Sequence, residues 1–221
     1  MKTQILFVRS MRLLAAIGSL LLLAPLFASA EETTPDVLVK NVTNEVLDII
    51  RKDKDIQSGN AHKAAELIEA KVLPNFDFDR MTALAVGREW RNANPEQQKA
   101  LTSEFHTLLV RTYANALTAY KSQTIDFKPF KAAAGDTDVV VRTEVRQPGA
   151  KSIPIDYSLQ KDGSGKWKVY DVIVGGVSLV TSYRDQFRQQ VAAGGIDGLI
   201  KSLQTKNQGP APAPPVPAAA K

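Results

Sequence analysis

From residue 125 to residue 174, apolar and polar side chains alternate one by one in four successive runs. Ile125 and Phe127 alternate with Asp126 and Lys128. Val139, Val141, Thr143 and Val145 alternate with Arg142, Glu144 and Arg146. Ile153, Ile155, Tyr157 and Leu159 alternate with Pro154, Asp156 and Ser158. After an Asp162-Gly163-Ser164-Gly165 turn, Trp167 to Val174 completes the series. A period of two puts neighbouring side chains on opposite faces of a strand. Four consecutive strands joined by turns predict an antiparallel sheet with one apolar face that must be covered. Pro154, which has no N–H to donate, predicts an edge or a bulge at its position.

Helical periods flank the sheet and can supply the cover. Thr34-Pro35 reads as an N-cap with proline at the first helical position, followed by the stripe Leu38, Val42, Val46, Ile49 and Ile50. A short helix after Gly59 carries Leu67, Ile68 and Val72 and stops at Pro74. Another follows Asp77, with Met81, Leu84 and Ala85 on one side. The longest starts at Asn94-Pro95-Glu96-Gln97, a capping-box pattern, and carries Leu101, Phe105, Leu108, Leu109, Tyr113, Ala116, Leu117 and Tyr120. After Gly175-Gly176, Ser178 reads as the N-cap of a helix with Leu179, Tyr183, Phe187 and Val191 four apart. A final short helix holds Ile196, Leu199, Ile200 and Leu203. The predicted class is α+β, with helices packed on one face of a curved four-stranded sheet.

Both ends lie outside this pattern. Lys2, Arg9 and Arg12 precede an uncharged leucine-rich run, Leu13 to Ala30, ending in Ala28-Ser29-Ala30. Those are the parts of a secretory signal peptide, residues 1–30, cleaved after Ala30. The run is interrupted by Pro25 and is short for a membrane span. Residues 207–221 read NQGPAPAPPVPAAAK, a Pro/Ala-rich tail that cannot propagate a helix. The folded domain is therefore assigned to residues 31–206. The formal charge of +5 shrinks once the leader is removed, because the rest holds 25 basic and 23 acidic residues. Such a balance gives no support for nucleic-acid binding. There is no cysteine, so no disulfide framework and no lipidation site. The mature chain is expected to be soluble and monomeric.

Catalytic signals are weak. His62 and His106 lie far apart in sequence, and although His62 and Glu66 can share a helix face, one such pair is not a metal site. Gly176-Val177-Ser178 lacks the second glycine of a nucleophile elbow. Asp156 falls on the polar side of its strand, whereas Asp171 is in phase with Trp167, Val169 and Ile173. Asp171 is thus the one carboxylate placed to act as a base inside a cavity, and a hydrogen-bonded structural role is the simpler reading of it. No catalytic or metal-binding residue is assigned.

Several matching segments carry a resemblance to a known family. They are Val72-Leu73-Pro74 with Phe76-Asp77-Phe78; Leu84-Ala85-Val86-Gly87 with Trp90; and Thr112 to Leu117 with Tyr120. Trp167 to Val172, Gly176 to Val180 and Gly195 to Leu199 follow in the same order. The chain resembles, over about residues 35–205, the MlaC family of periplasmic phospholipid-binding proteins, also called the toluene-tolerance family. That resemblance implies a nuclear transport factor 2-like sheet covered by helices, with an apolar pocket between the layers. It implies no cofactor other than bound glycerophospholipid. It also implies two partners, an outer-membrane lipoprotein complex and an inner-membrane ABC transporter with an MCE-domain protein.

Solvation supplies the reason for a pocket. Each CH₂ withheld from water is worth about 0.8 kcal/mol, so two acyl chains would cost roughly 24 kcal/mol to expose. The side chains whose phase suits the helix–sheet gap are Met81, Leu84, Leu108, Leu109, Tyr113, Leu117, Ile153, Ile155, Tyr157, Val169, Ile173, Val177, Leu179, Tyr183 and Phe187. These are the expected lining. Gly175, Gly176 and the Ser178 helix start are candidate backbone donors to a phosphate. Two other readings stand beside the carrier: a cavity enzyme using Asp171 as general base on a small apolar substrate, and a ligand-free module that docks envelope proteins.

Overall fold

The computed structural model describes residues 33–120, 122–133 and 135–212. The predicted signal peptide and the tail from residue 213 lie outside the described residues. Pro35 opens α1 (Pro35–Lys52), although Thr34 makes no side-chain capping bond. Asp53 then caps α2 (Lys54–Gln57), accepting from the backbone N–H of Asp55 and Ile56. Asn60 caps α3 (Ala61–Leu67), which runs on through a π-turn and a short 3-10 turn to Asn75. Asp77 caps α4 (Phe78–Val86) by accepting from Arg80 N–H at 2.9 Å. The capping box of α5 (Pro95–Thr118) is complete: Gln97 N–H donates to Asn94 Oδ1 at 2.8 Å, and Asn94 N–H donates to Gln97 Oε1 at 3.1 Å.

The sheet comprises β1 (Thr124–Phe127), β2 (Asp138–Arg146), β3 (Ile153–Lys161), β4 (Trp167–Val174) and β5 (Val177–Ser178), antiparallel in sequence order. It has one strand more than periodicity predicts. Gly175 and Gly176 both take positive φ, 59° and 86°, the geometry of a two-residue hairpin turn. The chain therefore folds back on β4 for two residues before any helix begins, and two residues are too few to register as a period. Pro154 lies in an interior strand, not at an edge. It is tolerated near the strand's start, where its carbonyl accepts from Gly175 N–H at 2.9 Å as β4 ends.

One bulge decides which side chains of β4 share a face. Ser158 pairs with Asp171 but Leu159 pairs with Val169, so Tyr170 is an extra residue in β4. The alternation of β4 reverses there. Val172 and Val174 share the face of Trp167 and Val169, and Ile173 and Asp171 turn to the other. That other face bears charges in pairs: Arg146 with Asp126 at 2.7 Å, Arg142 with Asp156 at 3.9 Å, and Lys128 with Glu144.

The helices divide into two groups. In α4, α5 and α6 (Arg184–Gln208, bent at Gly195), Met81, Leu101, Phe105, Leu108 and Phe187 form a dense core. Its aromatic centre has Phe105 edge-on to Tyr183 and Phe187, with centroids 5.2 and 5.3 Å apart. The start of this group is tied to the rim of β4. Asp77 N–H donates to Val169 O at 2.9 Å, and the Arg80 guanidinium lies 4.0 Å from the Tyr170 ring centre. The second group is α1, which packs Val46 and Ile50 against α3 and the later half of α5, and lays Val39 on Val141 and Leu159 of the sheet. α6 extends through Gln208, slightly past the predicted domain end.

Candidate functional site

A cavity of about 460 Å³ lies between α1, the last turns of α5 and the apolar sheet face. That volume falls within the range of ligand pockets, about 300–1,000 Å³. α1 contributes Leu38, Val39, Val42, Thr43, Val46 and Leu47, positions that recur on one helical face. The sheet contributes Ile125, Val145, Ile153, Ile155, Tyr157, Val169 and Val174. Val72, Asn75 and Phe76 close one side, and Ala116, Leu117, Ala119, Tyr120 and Gln123 the other. The void follows from side-chain size. Valines and alanines from both layers alternate on this wall with leucine, isoleucine and aromatic side chains that do not fill the gap, whereas the helical core is filled by phenylalanine and leucine.

No lining residue is charged, and its polar groups are occupied. Asn75 donates to Lys71 O at 3.0 Å, within its own turn. The Tyr157 hydroxyl lies beside the hydroxyls of Thr143 on the sheet and Thr43 on α1. Burial pushes its hydroxyl pKa up, and the threonine hydroxyls oppose that. Tyr120 donates to Gln123 O at 2.8 Å. Among the described residues, the buried polar side-chain atoms without a partner belong to Arg80, Tyr113 and Asn207, none of which lines the cavity. A guest would therefore be selected by apolar surface and shape, since the wall offers few hydrogen bonds.

Of the expected lining, Leu117, Ile153, Ile155, Tyr157 and Val169 meet at this cavity. Met81, Leu108, Leu109, Tyr183 and Phe187 lie instead in the filled core of α4, α5 and α6, with Leu84 and Tyr113 packed against it. Ile173 is turned off the cavity face by the bulge. Val177 in β5 and Leu179 beyond it are half-buried outside the lining. The α1 residues were missed as lining, although their stripe was legible. Nothing in helical periodicity separates a stripe facing core from one facing a void.

The remaining chemistry is structural. Asp171 does not line the cavity; its carboxylate accepts from Val172 N–H at 2.8 Å, Val180 N–H at 3.2 Å and the Ser178 hydroxyl at 2.6 Å. Ser178 Oγ in turn accepts from Thr181 N–H at 2.9 Å, capping the turn after β5. Gly175 N–H is committed to Pro154. His62 is exposed, 3.4 Å from Glu66. His106 stands edge-on to Phe78 at 4.8 Å, and burial pushes its pKa down. A wider, solvent-open groove of about 640 Å³ beside Phe78, Trp90 and His106 carries Asp79 and Lys99, and lacks the enclosed apolar wall. No metal-binding group of side chains occurs among the described residues.

The MlaC protein family matches residues 40–205, three-quarters of the chain and every residue of the cavity lining except Leu38 and Val39. This chain belongs to the MlaC family. Its relatives include the toluene tolerance protein ttg2D of Pseudomonas putida, 32% identical over 183 residues, covering 81% of this chain and 84% of that one. Another is the intermembrane phospholipid transport system binding protein MlaC of Haemophilus influenzae, 25% identical over 175 residues and covering 78% and 82%. Among solved structures, the phospholipid-binding protein of Ralstonia solanacearum, in complex with a phospholipid, superimposes with a TM-score of 0.73. It is 40% identical, with 80% of this chain and 97% of that one covered. The helix-covered antiparallel sheet is thus the MlaC architecture, in keeping with the expected nuclear transport factor 2-like class. No described helix is long and apolar enough to cross a membrane.

Proposed function

We propose that this chain is a soluble, monomeric periplasmic carrier that encloses the acyl chains of a glycerophospholipid under α1 and leaves the headgroup wet. The observation that carries this reading is an uncharged cavity of about 460 Å³ whose polar groups are engaged within the protein. The phospholipid in the Ralstonia relative supports the same guest. With each CH₂ worth about 0.8 kcal/mol, loss of a tail to water is slow, so delivery requires direct docking to a membrane-bound partner. The partners in this reading are an outer-membrane lipoprotein complex and an inner-membrane ABC transporter with an MCE-domain protein. Export by residues 1–30, with cleavage after Ala30, completes it, and the mature protein would begin at Glu31.

Native mass spectrometry of the purified protein, paired with organic extraction, tests the carrier. Glycerophospholipid mass on the intact chain is expected. Leu117→Glu, on the wall, should lose that mass while still folding. Tyr113→Glu, against the filled core, should instead impair folding. Protein that carries no lipid after exposure to phospholipid vesicles would refute the reading.

A further inference from the structure

We infer that Arg51, held by Tyr120 at the cavity mouth, seats the phosphate of the bound lipid. The inference rests on the carrier reading and adds a recognition site to it. Tyr120 joins the cavity wall to Arg51. Its ring is part of the apolar wall, while its hydroxyl donates to Gln123 O at 2.8 Å and accepts from Arg51 Nη2 at 2.9 Å. One side chain thus spans the change from apolar wall to polar rim. The guanidinium carbon lies 5.8 Å from the ring centre, so Arg51 is held beside the last apolar surface a tail would touch. Arg51 follows the wall residue Leu47 by one helical turn, which places it on the same face of α1.

The guanidinium is available to an anion. Among the described residues its other side-chain partner is Asp48 at 3.3 Å, an exposed pair three residues apart on one helix, with side chains 52% and 61% accessible. Such a pair is weak and exchanges readily. The guanidinium has five N–H groups, and the fork matches two phosphate oxygens at once. A helix C-terminus would ordinarily repel an anion. Here Gln57 donates to Ile50 O at 2.9 Å and Arg51 O at 2.7 Å, which covers two of the exposed carbonyls. Among the described residues of the sheet, Arg142, Arg146 and Lys128 project from the opposite face and are paired with Asp156, Asp126 and Glu144. Among the described residues, Arg51 is the cation hydrogen-bonded to a side chain of the cavity wall.

Recognition of this kind reads the phosphate and ignores what is esterified beyond it. The test offers the full protein vesicles with equal amounts of dioleoylphosphatidylglycerol and dioleoylglycerol, which share tails and differ in the phosphate. Native mass spectrometry reads the ratio bound. The parent protein should favour the phospholipid about tenfold, as one charge-assisted fork on phosphate allows. Arg51→Gln should bring the ratio close to one, and Arg51→Lys, a charge without the fork, should fall between. An Arg51→Gln protein that keeps the parent ratio overturns this assignment and leaves the carrier standing. A protein that takes up neither lipid overturns both. Inorganic phosphate at millimolar concentration should leave the parent ratio intact; if it abolishes the preference, the site serves the free anion and the lipid assignment fails.

Discussion

Val169 and Val174 line the same cavity although five positions separate them along β4. An odd spacing puts two residues of a regular strand on opposite faces. The extra residue at Tyr170 restores them to one face, so the bulge supplies Val174 to the wall and removes Ile173 from it. Glutamine at these adjacent positions should therefore behave differently. Val174→Gln places an amide against an apolar wall, costing about 1–3 kcal/mol and lowering lipid occupancy several-fold. Ile173→Gln should change stability by less than about 1 kcal/mol and leave occupancy alone. Urea unfolding and native mass spectrometry of the two variants provide the comparison.

Asp171 stabilises the return of the chain from the sheet to the helices. Two of its three accepted bonds, from the Ser178 hydroxyl and Val180 N–H, join β4 to the Ser178–Val180 segment, the third comes from Val172 N–H within β4, and the residue is 9% exposed. Hydrogen bonds to a charged acceptor are worth about 1.5–3 kcal/mol each, and alanine would leave two backbone donors without a partner. Asp171→Ala should lose roughly 3 kcal/mol or more in thermal or urea unfolding. Asp171→Asn, which keeps one oxygen for the backbone donors, should lose about half of that. Lipid bound per folded molecule should be unchanged in both. A loss of binding at full stability would mean that Asp171 acts on the guest.

The sheet was legible because β2, β3 and most of β4 each have one apolar and one polar face. The helix starts at Pro35 and Pro95 were legible through local chemistry. Two features were not. The Tyr170 bulge is set by pairing with β3, and Trp167 to Val174 alternates plausibly in either phase when read alone. The location of the void depends on summed side-chain volume across two layers. Leu108 and Leu117 belong to one α5 stripe, yet the first packs into the α4–α6 core while the second faces the cavity. What differs is the partner each meets, and a single helix does not encode that. The stripe Leu38, Val42 and Val46 was visible for the same reason that its role was not.

Glu144 makes part of the stability pH-dependent. Hydrogen bonds from Lys128 and Ser152, with Arg146 nearby, hold its carboxyl down at about 2, against an ordinary value of 4.5. A depressed carboxylate contributes stability that is fully present above its unfolded value and is lost as pH falls through the folded one. The contribution of this cluster should therefore fade between pH 4.5 and about 2. Glu144→Gln should be less stable than the parent at pH 7, and the two melting temperatures should converge across that window. Asp53 and Asp162, held down by neighbouring backbone and side-chain donors, steepen the acid limb of both proteins alike. A constant difference down to pH 2 would assign the effect to packing.

Val42 provides the sharpest separation of binding from folding. It lies on the cavity-facing side of α1, where its short branched side chain leaves space unfilled. A larger apolar group there would occupy volume that belongs to the guest. Cavity filling commonly adds about 0.5–2 kcal/mol, so Val42→Phe should raise the stability of the lipid-free protein while reducing bound lipid. The corresponding reduction in the filled core acts in the opposite sense. Phe105→Ala removes a ring packed on Tyr183 and Phe187 and should cost about 3–5 kcal/mol. Lipid binding by the fraction that remains folded should persist in Phe105→Ala. Melting curves with and without phospholipid vesicles distinguish the two. The parent should gain stability from lipid, since a ligand that binds only the native state shifts unfolding upward. Val42→Phe should start higher and gain less, because the space a tail would enter is already taken by its own ring.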